Sequence, residues 1–238
     1  MKTAGLALIA AAGMAASANA TFFSFASDTA DRQWTFTGAG NQVRQGDAAG
    51  VNIDLIVNND NGGMDAVYHT KFMADWTLAY EKSSAVGSII THQYRASGVF
   101  QWLDARSGDL LLSCAFENAV FSAAGKVAAW SSTATVMGTD ELSVVQYTSG
   151  IDNADLGIAA GAMSGPQDFA FTMTVINTSG ALPYTPNAAN RGVSIGADML
   201  PNRQWFAEGS YSGSAVPTPG SAALLGLGGL ALGKRRRA

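Results

Sequence analysis

Alternation of apolar and polar residues is the feature that most constrains how this chain folds. Phe169, Phe171, Met173 and Val175 occupy every second position, with Ala and Thr between them, and Val51–Val57 repeats much of this pattern. Successive side chains of an extended strand point to opposite faces of a sheet, so a period of two predicts one buried and one solvated face. The chain therefore contains half-buried β-strands.

Further short apolar runs predict more strands, and turn-forming residues separate them. No stretch carries a convincing helical period with capping residues. Asp104–Asp109 is predicted as a turn, and Thr185–Arg191 as a loop. The many short strands indicate an all-β fold, either an antiparallel β-sandwich or a jelly roll. The additional predicted strands are Phe22–Phe25, Val99–Leu103, Leu110–Phe116, Val127–Val136, Leu142–Thr148, Val193–Ile195 and Trp205–Tyr211.

Residues 1–20 predict a secretory signal peptide. Lys2 precedes an apolar run at positions 4–16, and small residues at Ala18 and Ala20 fit a signal-peptidase site. Cleavage after Ala20 makes Thr21 the first residue of the mature chain. A buried N-terminal helix is the weaker alternative.

The C-terminal residues 216–238 contain three features in succession. Two prolines break the preceding structure, an apolar run follows, and a basic cluster ends the chain. The apolar segment is near the lower length limit for a membrane-spanning helix, and its basic end is expected on the cytoplasmic side. The features are Val216, Pro217, Thr218 and Pro219, then residues 220–233, then Lys234, Arg235, Arg236 and Arg237.

This order of features resembles the PEP-CTERM sorting signal of Gram-negative bacteria, which has a Pro-x-Pro motif, an apolar helix and an Arg-rich end. Thr218 stands where that signal usually has Glu, so the tail resembles a variant of the motif. The resemblance implies processing by an exosortase, an integral-membrane protease or transpeptidase. It also implies transient insertion of the C-terminal helix in the inner membrane and delivery to the cell surface or extracellular matrix, often in bacteria that make exopolysaccharide and biofilm.

Residues 21–215 between these signals form the predicted body, long enough for a sizeable core. They hold 9 basic and 18 acidic residues, a net charge of −9, which argues against nucleic acid as a partner. The single Cys114 excludes an intrachain disulfide and a Cys-rich zinc site. Its apolar neighbours predict a buried, inert thiol. Ser210–Ala215 is predicted as a small-residue spacer before the sorting signal.

Catalytic motifs are absent from the sequence. It contains no nucleophile elbow, zinc-binding helix or phosphate loop, and its two histidines, His69 and His92, lie in strand-like stretches. The four glutamates form no motif that pairs two carboxylates for glycoside hydrolysis. We therefore predict that the protein is not an enzyme and needs no cofactor.

Two further features bear on binding. Asn58–Asp65 is rich in oxygen ligands and glycine, and Asp60 and Asp65 make it a calcium candidate, although an ordinary hairpin loop is the favoured interpretation. Exposed aromatic rings can stack on sugars, although burial in the core is favoured for each tryptophan. The aromatic residues concerned are Trp34, Trp76, Tyr80, Trp102, Trp130 and Trp205.

Three hypotheses follow. The favoured one is a non-enzymatic surface or matrix protein, processed by an exosortase and associated with exopolysaccharide. The second is a secreted glycan-active enzyme, which would need two facing carboxylates in a cleft beside an exposed tryptophan. The third is a calcium-dependent lectin-like module that uses Asp60 and Asp65.

Overall fold

The computed structural model describes residues 20–26, 33–59, 65–153, 156 and 158–216. Within these residues the chain forms thirteen β-strands and no α-helix, which confirms the predicted all-β class. In chain order the strands are β1 (Thr21–Ala26), β2 (Phe36–Ala39), β3 (Gln42–Gln45), β4 (Val51–Asn59), β5 (Ala66–Val86), β6 (Ile89–Asp104), β7 (Leu110–Lys126), β8 (Ala129–Met137), β9 (Val144–Ser149), β10 (Gly161–Ala162), β11 (Ser164–Asn177), β12 (Val193–Ser194) and β13 (Trp205–Val216).

All pairings between these strands are antiparallel. Strands β4 to β8 pair in succession along the chain. Strand β13 has β11 on one side and shares its other side between β1 and β2. The β1–β4, β3–β5 and β8–β11 pairings connect these two groups of strands. The last strand of the chain is therefore an interior strand of the sheet.

Aromatic side chains fill the space between the two groups of strands. The ring of Phe100 on β6 lies 5.7 Å from the rings of both Phe171 on β11 and Tyr211 on β13. Strand β6 pairs with neither β11 nor β13, so these contacts cross the interior of a sandwich. All five tryptophans are at most 5% exposed, which confirms that they pack in the core. The sandwich is therefore built around an aromatic interior.

Strand β5 is the longest of the described strands. The strands predicted from the sequence do not include it, nor do they include β2 and β3. Its segment Thr70–Leu78 alternates between buried and less buried residues, but Glu81–Val86 is exposed at every position. This exposed end projects beyond the core and pairs only with β6. A strand with both faces in water carries no period of two, so the pattern disappears where β5 leaves the core.

The predicted spacer at Ser210–Ala215 is wrong, because these residues belong to β13. They alternate between exposed and buried and pair with both β1 and β11. Their small size reflects close packing instead of flexibility. A Cβ atom on Gly213 would lie within 1.9 Å of the Tyr147 hydroxyl, so the backbone of β13 passes too close to that ring for any side chain.

Two projecting hairpins lie side by side. Gly87 and Ser88 connect β5 to β6, and the positive φ of Gly87 (+62°) suits the first central position of a type II′ turn. Val127 and Ala128 connect β7 to β8. Strands β6 and β7 pair up to Ile90 and Gly125, which brings the two turns together at one end of the body.

Candidate functional site

A cleft lies beside these two turns, and we call it the hairpin groove. Its volume is about 810 Å³, within the range of ordinary ligand sites. The β5–β6 turn, the β7–β8 hairpin and the predicted loop at 185–191 form its walls. Its polar and apolar lining side chains include those of Ser88, Ile89, Lys126, Ser131, Asn187 and Arg191.

A buried histidine secures the β7–β8 wall of the hairpin groove. His92 is fully buried, and its Nε2 donates a hydrogen bond of 2.8 Å to the carbonyl oxygen of Lys126. Its Nδ1 lies 2.8 Å from the hydroxyl of Ser83 on β5. The imidazole therefore connects three strands and holds the backbone from which the Lys126 side chain extends into solvent.

Side-chain amides stabilise the loop at 185–191, which forms another wall of the hairpin groove. The Asn187 side chain accepts hydrogen bonds from the backbone N–H groups of Ala189 and Asn190, and the Asn190 side chain accepts one from the Asn187 N–H. These bonds form the compact turn that precedes Arg191. The backbone of Arg191 then forms a bridge with Asn177. The predicted loop at Thr185–Arg191 is thus confirmed, and it is well ordered by its own hydrogen bonds.

Gly192 permits the loop to approach strand β8. It adopts a φ of +72°, and a Cβ atom at this position would lie 2.3 Å from the carbonyl oxygen of Trp130. No side chain fits at that distance, and the left-handed conformation also favours glycine. Trp130 lines the base of the hairpin groove but is only 2% exposed, so its ring offers no stacking surface.

The charge of the hairpin groove differs from that of the body. Lys126 and Arg191 are both exposed, and neither forms an ion pair with another described residue. No Asp or Glu is among the lining residues. Residues 21–215 carry a net charge of −9, so a cleft lined by two exposed cations and by no Asp or Glu contrasts with the average charge of the body.

A second, smaller cleft lies beside strands β4 and β5. There His69 and Asp54 face each other across the strands, with 2.6 Å between Nδ1 and Oδ1. Their side chains are 83% and 56% exposed. The nearest hydroxyl in the lining, that of Thr70, is buried and donates to the carbonyl oxygen of Ile53 at 2.6 Å. The pair is a cross-strand contact without an available nucleophile.

A third cleft lies beside β7 and β9, and Glu117 is the single carboxylate in its lining. The best-connected carboxylates lie elsewhere. Arg95 donates to Asp140 at 2.7 Å and to Glu81 at 3.1 Å. The pKa of Asp140 lies below its ordinary value, first because of the hydrogen bond from Arg95 and then because of the Leu142 backbone N–H. This arrangement neutralises carboxylates and joins β5, β6 and the segment before β9.

Cys114 is fully buried on β7, as the sequence predicts. Burial raises the pKa of its thiol from 9.0 to about 12. It lies beside the hydroxyls of Tyr147 and Tyr211, which hydrogen-bond to each other and whose pKa values burial also raises. A neutral thiol without access to solvent is a poor nucleophile, so this group packs the interior.

The residues of the predicted processing sites lie at one end of β1 and β13. Thr21 is buried at the start of β1 and pairs with Ala215, while the backbone of Val216 pairs with Ser164. Ala20 is half-buried. The remaining predicted positions lie outside the described residues: Ala18, Pro217, Thr218, Pro219, Lys234, Arg235, Arg236 and Arg237.

The calcium candidate falls partly outside the described residues. Asp60 lies there, whereas Asp65 is exposed immediately before β5. Within the described part of the chain, no three His, Cys, Asp or Glu side chains are grouped as metal ligands. The described residues also form no helix long and apolar enough to cross a membrane.

Comparison with known proteins gives no relative. No protein-family model matches the sequence, no curated protein matches it, and no solved structure matches the fold.

No motif in the sequence identifies Lys126 or Arg191 as site residues. They are 65 positions apart, and the pairing of β12 with β8 brings their surroundings together. Their one sequence-level signal is scarcity, because they are two of only nine basic residues in the body. Scarcity alone does not say which cations share a surface.

Proposed function

We propose that this chain is an exported cell-surface or extracellular-matrix protein, processed by an exosortase at its C-terminal signal, and that it acts by contact with exopolysaccharide and not by catalysis. The protein passes through the inner membrane and is held there transiently by the C-terminal apolar helix. The mature product consists of the β-sandwich body.

The observation that carries this proposal is the agreement between the limits of the fold and the two predicted processing points. Thr21, the first residue after the predicted signal-peptidase site, is already buried and paired in β1. Val216, the first residue of the Pro-x-Pro motif, is the last residue of β13. The described sheet therefore begins and ends close to the two predicted processing points.

The position of β13 adds a mechanical argument. It is held by β1 and β2 on one side and by β11 on the other, so the C-terminal end of the body is anchored in the sheet. Cutting or transfer just after Val216 would leave all thirteen described strands in the product. This suits a protein whose C-terminal segment serves in delivery and is then removed.

The competing hypotheses receive less support. A glycan-active enzyme requires two facing carboxylates, and each of the three clefts described above contains at most one. It would also benefit from an exposed tryptophan, and all five are buried. A calcium-dependent module would require Asp60 and Asp65, of which Asp65 is exposed.

The experiment is expression of the full chain in a Gram-negative host with and without its exosortase, followed by intact-mass measurement of the exported protein. We expect an N-terminus at Thr21 in both strains. We expect a C-terminus close to Pro217 only when the exosortase is present.

Two variants make the experiment specific. Replacing Pro217 and Pro219 with Ala should leave the C-terminal segment attached and the protein in the membrane fraction. Replacing Pro183 and Pro186 with Ala, in a loop far from the motif in sequence, is the matched control and should be processed normally. Identical C-termini with and without the exosortase would refute the proposed processing.

A further inference from the structure

The two cations of the hairpin groove are available to a ligand. Both side chains are exposed, and neither is engaged by a described carboxylate. Arg44 and Arg95, in contrast, already have acidic partners at 3.7 Å or less. A cleft with two cations that form no ion pair and with no acidic lining residue favours an anion over a cation.

The rest of the lining suits a carbohydrate. Ser88, Ser131 and Asn187 bring hydroxyl and amide groups that can exchange hydrogen bonds with sugar hydroxyls. Ile89 is 58% exposed and offers an apolar surface for the C–H groups of a sugar ring. An open cleft of this volume accommodates one or two rings of a chain that continues beyond both ends.

The backbone segments that carry the two cations are held in position before any ligand arrives. The hydrogen bond from His92 secures the backbone of Lys126, and the Asn187 and Asn190 amides together with Gly192 secure the backbone of Arg191. Preorganised groups lose less conformational entropy on binding. The planar guanidinium of Arg191 can donate two parallel hydrogen bonds to one carboxylate, whereas Lys126 contributes a point charge.

We propose that the hairpin groove binds the carboxylate groups of an acidic, uronate-containing polysaccharide through Lys126 and Arg191. This inference rests on the proposed surface function and names the chemical class of its polysaccharide partner. The guanidinium of Arg191 can bind both oxygens of one carboxylate, and the test compares this group with sulfate.

The test measures binding of the exported protein to polygalacturonate, dextran sulfate and neutral dextran at low ionic strength. We expect polygalacturonate to bind tightest and dextran not to bind. The double variant Lys126→Gln, Arg191→Gln should lose about tenfold or more in affinity for polygalacturonate. The wild-type affinity should also fall as salt increases, because the attraction between exposed charges is screened.

The matched control is Lys71→Gln, Arg106→Gln. It removes the same charge at the other end of the β5–β6 pair, where Lys71 pairs with Leu103 and Arg106 lies in the following turn. Equal losses for the two double variants, or none for either, would overturn the assignment of the hairpin groove. Dextran sulfate binding as tightly as polygalacturonate would overturn the choice of carboxylate.

The polysaccharide-binding proposal and the proposed function can fail independently of each other. The intact-mass experiment reports processing whether or not any polymer binds. Normal processing without polygalacturonate binding would reject the ligand of the hairpin groove and leave the exported, processed surface protein standing. Thermal unfolding of both double variants should match that of the wild type, because all four replaced side chains lie outside the core.

Discussion

The indole N–H of Trp130 donates a hydrogen bond of 2.9 Å to the hydroxyl of Tyr94, which in turn donates one of 2.6 Å to the carbonyl oxygen of Met199. Trp130 differs in this from Trp76, Trp102 and Trp205, whose buried indole N–H groups have no hydrogen-bond partner among the described residues. The Tyr94 hydroxyl therefore connects β8, beneath the hairpin groove, to the segment that precedes β13.

Replacing Tyr94 with Phe should reduce the free energy of unfolding by about 1–3 kcal/mol, because a buried donor and a buried acceptor lose their shared partner. Urea denaturation of the two proteins measures this difference. Tyr80→Phe is the matched control, because Tyr80 is 40% exposed and its hydroxyl can bond to water instead of Ser83. Equal losses for the two variants would contradict the role of the Trp130–Tyr94–Met199 chain.

Gly192 and Gly87 separate two effects of replacing a glycine. Both have positive φ, +72° and +62°. An added Cβ atom meets nothing within 4 Å at Gly87 but would lie 2.3 Å from the Trp130 carbonyl oxygen at Gly192. Gly87→Ala should therefore lower the free energy of unfolding by about 1–2 kcal/mol through backbone strain alone. Gly192→Ala should lower it clearly more, because the loop must also move away from β8.

Urea denaturation of both alanine variants measures this difference in cost. Gly192→Ala should in addition weaken polygalacturonate binding, since Arg191 moves with the loop. An equal stability cost for both variants would show that the loop does not need its close approach to β8.

Alternating burial along a strand leaves a period of two in the sequence. Val51–Val57 and Phe169–Met173 show the pattern because each packs one face on the aromatic core, and both lie in observed strands. The predicted alternation fails at Val175, which is partly buried, has a φ of +56° and lies at a register shift between β11 and β13. Thr70–Leu78 of β5 also alternates in burial but is not among the strands predicted from the sequence. The predicted strand at Val127–Val136 begins two residues too early, because Val127 and Ala128 form the turn. Apolar composition alone does not distinguish a hairpin turn from a strand end.

Other parts of the fold are strands because of their pairing with neighbouring strands. The exposed end of β5 is a strand because β6 pairs with it, and the glycine- and serine-rich end of β13 is a strand because β1 and β11 pair with it. The hairpin groove has a similar origin, since the β8–β12 pairing brings the segments that carry Lys126 and Arg191 to one cleft. Such pairings leave no local period in the sequence.

The buried thiol predicts a loss of stability at alkaline pH. The pKa of Cys114 is raised from 9.0 to about 12 in the folded state, so above pH 9 the unfolded chain releases this proton while the folded chain keeps it. Stability then falls as pH rises, because the unfolded state binds fewer protons. Cys114→Ala should remove this part of the pH dependence, although the smaller side chain lowers stability near neutral pH.

The measurement is the free energy of unfolding of wild type and Cys114→Ala at pH 7.5 and near pH 10. The difference in free energy of unfolding between the two proteins should be smaller at the higher pH. An unchanged difference would mean that the pKa of the thiol is not raised in the folded protein. Thiol labelling provides an independent control, since Cys114 should react only after denaturation.

Because of the Arg95–Asp140 pair, we expect the stability of the protein to depend on pH in the acidic range. The folded-state pKa of Asp140 is lowered, chiefly by the hydrogen bond from Arg95. The Asp140 carboxylate therefore contributes fully to the stability of the fold above the ordinary carboxyl pKa. This stabilisation is lost as pH falls through the lowered folded-state pKa. Asp140→Asn should therefore reduce stability at neutral pH, and the difference from wild type should shrink at a pH below the ordinary carboxyl pKa. Urea denaturation at the two pH values measures this change.

Asp75→Asn is the matched control for Asp140→Asn. Asp75 lies 3.7 Å from Arg44, and both side chains are more than half exposed, so solvent screens this pair and its loss should change stability little at any pH. The Asp140 pair is shorter, at 2.7 Å, and its Arg95 side chain is 23% exposed. If Asp140→Asn and Asp75→Asn behaved alike at neutral pH, the shared guanidinium of Arg95 would not be what joins β5 and β6 to the segment before β9.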